Sequence, residues 1–214
     1  AAFLHRLDQL KPDAAASPVQ QVVTTSTAIA DNVETVSTFA VKKDGSLWAW
    51  GRNDSGQLGV GDTNDRLSPA KVMDNVSTIN DGTFAVKKDG SLWAWGYNYF
   101  GQLGVGDTNS RLSPAKVMDN VSTINSGDGT FAVKKDGSLW AWGSNDYGQL
   151  GVGDTNARLS PAKVMDNVST INGRDRISTF AVKKDGSLWA WGRNGVGQLG
   201  VGDTNDRLLP VKVM

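Results

Sequence analysis

The sequence predicts an all-β protein, a β-propeller of four near-identical blades closed alone or by pairing with another chain. Three observations carry this. The stretch Thr38 to Gly59, TFAVKKDGSLWAWGRNDSGQLG, returns almost letter for letter from Thr83, Thr130 and Thr179. Each copy centres on Asp-Gly between two runs of alternating residues, the strongest short-range signal of a β-hairpin. The copies divide the chain from residue 31 into units of 43, 45, 47 and 49 residues, each opening on Asp-Asn-Val. Three or four short strands in such a unit make one propeller blade.

Residues 1–30 stand apart from the repeats. Phe3, Leu4, Leu7 and Leu10 fall at helical spacing, so a short amphipathic helix is expected up to Lys11-Pro12, where the proline discourages continuation. Asp13 to Ser17 reads as a linker. Val19 to Ile29, rich in Val and Thr, reads as a strand. The four repeats are 31–73, 74–118, 119–165 and 166–214. Each holds a short strand, a connector of changing length, the hairpin, the glycine-punctuated segment GQLGVGDTN and a last strand. In the hairpin, Phe39 and Val41 alternate with Ala40 and Lys42 at period 2, and a type I′ turn is expected at Asp44-Gly45. Because Ala28 to Val33 imitates Lys71 to Val76, the termini are expected to complete a blade, within one chain or between neighbouring copies.

Composition narrows the function classes. Twenty-two basic and twenty-two acidic residues cancel, so there is no electrostatic footprint for a nucleic acid and none is expected as a partner. No apolar run approaches the ~18 residues of a membrane span, and no membrane insertion is expected. There is no cysteine, one histidine (His5) and one glutamate (Glu34). A nucleophile, a base and an orienting third group cannot be assembled from these, so no catalytic site is expected. No metal site or cofactor is expected either. The run Gly61-Asp62-Thr63-Asn64-Asp65 spaces oxygen-bearing side chains as calcium loops do, but it lacks a following bidentate glutamate and reads as a turn. The Lys42-Lys43 pairs read as solvated edge charges.

All eight tryptophans form Trp-x-Trp pairs: Trp48 and Trp50, Trp93 and Trp95, Trp140 and Trp142, Trp189 and Trp191. Their identity in every copy suits packing between blades better than a sugar-stacking platform. The positions that differ are more informative. After each Trp-Gly comes a variable stretch: Arg52-Asn53-Asp54-Ser55, Tyr97-Asn98-Tyr99-Phe100, Ser144-Asn145-Asp146-Tyr147 and Arg193-Asn194-Gly195-Val196. The connectors vary too, the last carrying Arg174 and Arg176. Aromatic, Arg, Ser, Gly and Asp residues on loops of a rigid frame have the composition of a paratope.

The string FAVKKDGSLWAWGxNxxGQLGVGDTNxRLSPxKVM resembles the repeat of the regulator of chromosome condensation family, in the versions found in bacterial proteins. The resemblance implies a propeller, seven-bladed in most members, and protein binding in general, with guanine-nucleotide exchange on a small GTPase as one family activity. The family's connector, which precedes the hairpin, holds a glycine and a histidine just ahead of the second strand of the blade. Here those positions are Ser37, Gly82, Gly129 and Ser178.

The sequence therefore points to a non-catalytic module that binds a protein or peptide through variable blade-tip loops. Tyr97, Tyr99, Phe100 and Tyr147 are the candidate anchors, with Arg52, Asp54, Asp146, Arg174, Arg176 and Arg193 as polar contacts. A second reading is a structural or assembly unit of a larger extracellular bacterial complex, residues 1–30 docking into a neighbour and a homo-oligomer completing the ring. A lectin is third.

Overall fold

A computed structural model of the chain describes residues 18–29, 33–127, 129–173 and 177–214. The helix and linker expected before Pro18 lie outside these residues. Among the described residues sixteen strands form four antiparallel sheets, each a four-stranded meander in chain order. The first holds β1 (Val19–Ile29), β2 (Val33–Lys42), β3 (Leu47–Gly51) and β4 (Arg66–Met73). The second holds β5 (Val76–Asn80), β6 (Phe84–Lys87), β7 (Leu92–Gly96) and β8 (Arg111–Met118). The third holds β9 (Val121–Asn125), β10 (Gly129–Lys134), β11 (Leu139–Gly143) and β12 (Arg158–Met165). The fourth holds β13 (Val168–Asn172), β14 (Ser178–Lys183), β15 (Leu188–Gly192) and β16 (Arg207–Lys212).

Period-2 alternation gives every blade two unlike faces, and the blades stack unlike face to unlike face. Phe39, Val41, Leu47, Ala49 and Leu58 of the first blade pack on Val76, Ile79, Ala85 and Trp95 of the second. The second and third blades repeat this with Phe84, Val86, Leu92 and Leu103 against Val121, Ile124, Ala132 and Trp142. The third and fourth do so with Phe131, Val133, Leu139 and Leu150 against Val168, Ala181 and Trp191. The Ala positions let the bulky face of one blade approach the next closely, which is why both faces of each hairpin are apolar.

Residues Val19 to Val23 take the place that Val76 to Asn80 hold in the second blade. Val19 pairs with Lys42 and Gln21 with Val41, across the same bulge that separates Val76–Lys87 from Thr78–Val86. The first blade thus draws an edge strand from the stretch that the sequence reading set apart from the repeats. From there β1 and β2 continue as a long ladder to Ile29–Val33. Ile29 and Val33 consequently pair within one sheet, whereas Met73 and Val76 of the look-alike stretch belong to successive sheets. At those crossings Asn75, Asn120 and Asn167 take φ of 62–63°, a conformation asparagine tolerates. Lys71–Asp74, Lys116–Asp119 and Lys163–Asp166 ion pairs of 2.8–2.9 Å brace them.

The hairpin turn differs in type from the expectation. Gly45 has φ of 91° while Asp44 is not in the left-handed region, and Lys42 both donates to the Ser46 carbonyl and accepts from the Gly45 N–H. That is the three-residue loop with a glycine bulge. Asp44 selects it by accepting from the Ser46 N–H and hydroxyl at 2.8 and 2.7 Å. The lysines are also more than solvated charges. Lys42, Lys87, Lys134 and Lys183 each place the ammonium 4.5–4.7 Å from the centroid of the first tryptophan ring in their blade. Lys88 reaches back to the Asp44 carbonyl of the preceding blade at 3.1 Å.

Candidate functional site at the blade tips

Strand direction sets what shares an end of the stack. The Asp-Gly turns lie at one end, and the variable stretches lie at the other beside the connectors that precede β2, β6, β10 and β14. Ser37 Oγ ties the two together by donating to the Arg52 carbonyl at 2.8 Å, as Ser178 does to Arg193 at 3.0 Å.

The constant asparagine of each variable stretch holds the tip. Asn53, Asn98, Asn145 and Asn194 are fully buried. Asn98 Nδ2 donates to the Asp107 and Asn109 carbonyls at 2.8 and 3.0 Å, and Oδ1 accepts from the Leu103 N–H at 2.9 Å. The constant glutamine adds a second brace: Gln57, Gln102 and Gln149 accept the N–H of the last variable residue at 2.8–2.9 Å. Sequence reading missed this glutamine, although its invariance within WGxNxxGQLG was visible.

The calcium-like run is a braced turn. Asp62, Asp107, Asp154 and Asp203 accept from the N–H two residues on and pair with Arg66, Arg111, Arg158 and Arg207, each at 2.7 Å. Among the described residues no group of three or more His, Asp or Glu could hold a metal ion. The arginine hydrogen bond holds each of these carboxyls below its ordinary value, and the serine hydrogen bonds do the same for Asp44, Asp89, Asp136 and Asp185. A depressed folded-state pKa contributes stability that is present above the unfolded-state value and lost as pH falls through the folded one. The melting temperature is therefore expected to hold between about pH 7 and 5 and to drop below about pH 4. A melt unchanged at about pH 2.5 would remove these carboxylates from the account of stability.

On this braced frame the candidate residues form three groups. In the first blade Arg52 pairs with Asp54, which lowers the Asp54 pKa and raises that of Arg52. In the second, Tyr97, Tyr99 and Phe100 are 49, 68 and 47% exposed. Tyr97 stacks on Tyr99 at 6.3 Å and Tyr99 meets Phe100 edge-on at 5.2 Å. Across the third and fourth blades, the Arg193 guanidinium lies 5.1 Å over the Tyr147 ring, and Asp146 accepts from Ser144 at 3.2 Å. The Arg193–Tyr147 contact joins the final variable position of the third blade to the first of the fourth. Arg174 and Arg176 lie outside the described residues.

The tryptophans divide the other way. Trp95, Trp142 and Trp191 are fully buried. Each indole N–H donates to the Gln57, Gln102 or Gln149 carbonyl of the preceding blade at 2.8–3.0 Å. Trp48, Trp93, Trp140 and Trp189 are half-buried, each bonded to a serine at 3.0 Å and capped by lysine. These contacts suit blade packing and leave the inner rings no face for a sugar.

Comparison with known proteins agrees with this geometry. Over 35 residues, 16% of the chain, the sequence is 51% identical to the Ultraviolet-B receptor UVR8 of Arabidopsis thaliana, of which they cover 8%. Human WBSCR16 matches 92% of the chain at 25% identity and a TM-score of 0.64, over 53% of its own chain. The yeast RCC1 (Prp20) structures match 95% of it at 21–22% identity and a TM-score of 0.72, over 50–52% of theirs. The chain thus spans about half the length of these solved structures. No described helix is long and apolar enough to cross a membrane. The Regulator of chromosome condensation (RCC1) repeat matches residues 44–82, 89–132, 136–181 and 185–214, and with four repeats on four sheets the chain belongs to that repeat family.

Proposed function

We propose that the chain is a non-catalytic binding module that holds a protein or peptide through its variable blade-tip loops. The observation that carries this is the Tyr97, Tyr99 and Phe100 cluster: three large rings, each about half exposed or more, mutually packed on loops whose backbone is braced by buried asparagine. Rings already ordered against one another lose little freedom on binding, which is the property of an interface anchor. Arg52, Asp54, Asp146 and Arg193 supply hydrogen bonds of both signs at the rim, and Tyr147 offers a second anchor under Arg193. Arg174 and Arg176 extend the same reading into the last connector. Structures of relatives support protein partners: yeast RCC1 was solved bound to Kap60, and Prp20p was studied for its binding to Gsp1p and histones.

The test is selection from a phage-displayed random peptide library, comparing the natural chain with the Tyr97→Ala, Tyr99→Ala, Phe100→Ala variant. Sequences enriched on the natural chain should fall at least 100-fold on the variant, about 3 kcal/mol of binding, while the melting temperature stays nearly unchanged because the rings are exposed. Enrichment that survives the triple substitution would move the site elsewhere.

A further inference from the structure

Given the binding function proposed above, on which this rests, we propose that the protein or peptide held at the blade tips presents an arginine, whose guanidinium stacks on the rings of Tyr97, Tyr99 and Phe100. The chain itself shows what its ring faces accept. In every blade a lysine ammonium lies 4.5–4.7 Å from the centroid of the first tryptophan of the pair. At the tips the Arg193 guanidinium lies 5.1 Å over Tyr147. Five partly exposed rings are covered by a cation in this way.

The second tip is the exception. Tyr97, Tyr99 and Phe100 are each about half exposed or more, and among the described residues no lysine or arginine lies over any of them. The second blade packs against a blade on each side, so these rings are exposed at a tip and not at an end of the stack. The two arginines of the variable stretches are already engaged, Arg52 with Asp54 and Arg193 with Tyr147. The position that Arg193 holds in the fourth blade is Ser144 in the third, an uncharged side chain whose hydroxyl donates to Asp146 at 3.2 Å. The third blade therefore has no cation to give the second as the fourth gives one to the third.

Ring geometry selects a guanidinium over an ammonium. Tyr97 and Tyr99 are stacked with 20° between their planes and centroids 6.3 Å apart, and Phe100 stands at 90° to Tyr99 at 5.2 Å. Two nearly parallel rings and one perpendicular to them make a corner. A flat guanidinium can lie face to face with a tyrosine ring while its N–H edge meets the perpendicular ring, whereas an ammonium has no face to stack. The tyrosine hydroxyls add acceptors for its outer N–H groups. Charge runs the same way. Ring faces carry negative potential, Arg52 and Asp54 cancel each other, and the Asp146 carboxylate on the next tip is met by the Ser144 hydroxyl and, among the described residues, by no basic side chain. A cationic partner is drawn to this surface, and a carboxylate or phosphate group would be repelled by it.

The experiment compares four phage-displayed peptide libraries, random except for a central arginine, lysine, leucine or proline, on the immobilised natural chain and on the Tyr97→Ala, Tyr99→Ala, Phe100→Ala variant. The arginine library is expected to be retained about tenfold over the leucine library, the worth of one well-placed cation–π contact, and that excess should vanish on the variant. A synthetic peptide taken from the winners should lose about tenfold in affinity when its arginine is replaced by citrulline, which keeps the shape and removes the charge. The citrulline exchange leaves the protein untouched, so it does not depend on how the variant folds. Leucine or proline libraries retained as well as arginine, with all retention lost on the variant, overturn the arginine and leave the aromatic site standing. Lysine retained as well as arginine overturns the stacked guanidinium. Retention that survives the triple substitution overturns the site itself, and the arginine with it.

Discussion

Trp142→Ala is expected to destabilise the protein by about 3–5 kcal/mol, the cost of emptying a fully buried tryptophan site. The indole is fully sealed, meets Phe84 edge-on at 6.5 Å, and rests on Gly104, where a Cβ would stand 2.6 Å away. Gly104 also holds φ of 72°, so the backbone beneath the ring has no means of filling the void with a side chain. The lost hydrogen bond is the smaller part. Thr130 also donates to the Gln102 carbonyl, at 3.0 Å, so that acceptor stays satisfied. The cavity lies in the junction of the second and third blades, and stability in stacked repeats is the sum of such junctions. Denaturant melts of the variant should therefore broaden or split as the two halves uncouple. Trp140→Ala removes a half-exposed ring and one lysine contact and should cost about 1–2 kcal/mol. Equal losses from the two variants would show that the junction does not depend on the inner ring.

Asn98→Ala should lower stability by about 3 kcal/mol, or about 6–12 °C of melting temperature for a chain of this length. The alanine cannot replace the two donated bonds or the accepted one. The orphans differ in cost. The Asp107 and Asn109 carbonyls lie on a partly open loop and can turn to water, but the N–H of sealed Leu103 cannot. Asn98→Asp keeps the acceptor and sets a buried negative charge against two carbonyl oxygens, so it should be no milder near neutral pH. Since this asparagine lies between Tyr97 and Tyr99, either variant should also weaken peptide selection by the tip. A full-strength tip on a destabilised frame would mean that the aromatic cluster orders itself without the loop.

The repeat made the architecture legible. Asp-Gly turns, period-2 alternation and identical units name a stack of four-stranded sheets before any coordinates exist, because strand pairing across a short turn is a local property. The variable stretches were legible as well, since four copies of one frame act as their own comparison. The turn type was not: Asp-Gly serves several turns, and Asp44 bonding to Ser46 chose among them. Val19 to Ile29 was legible as a strand, but its place as the edge of the first blade was hidden. Val19 to Val23 shares little more than two apolar positions with Val76 to Asn80, and its place shows only through its register against β2.

Local sequence thus accounts for the elements, their order and the rigid tip frame, each of which depends on residues within a dozen positions of one another. Which tryptophan of a pair is sealed and which tip side chains meet across blades are long-range facts. They depend on what lies across the junction between blades, and four identical repeats read alike until their neighbours are in place. The same letters bury Trp142 and leave Trp50 half-open, because burial belongs to the contact between blades rather than to the residue.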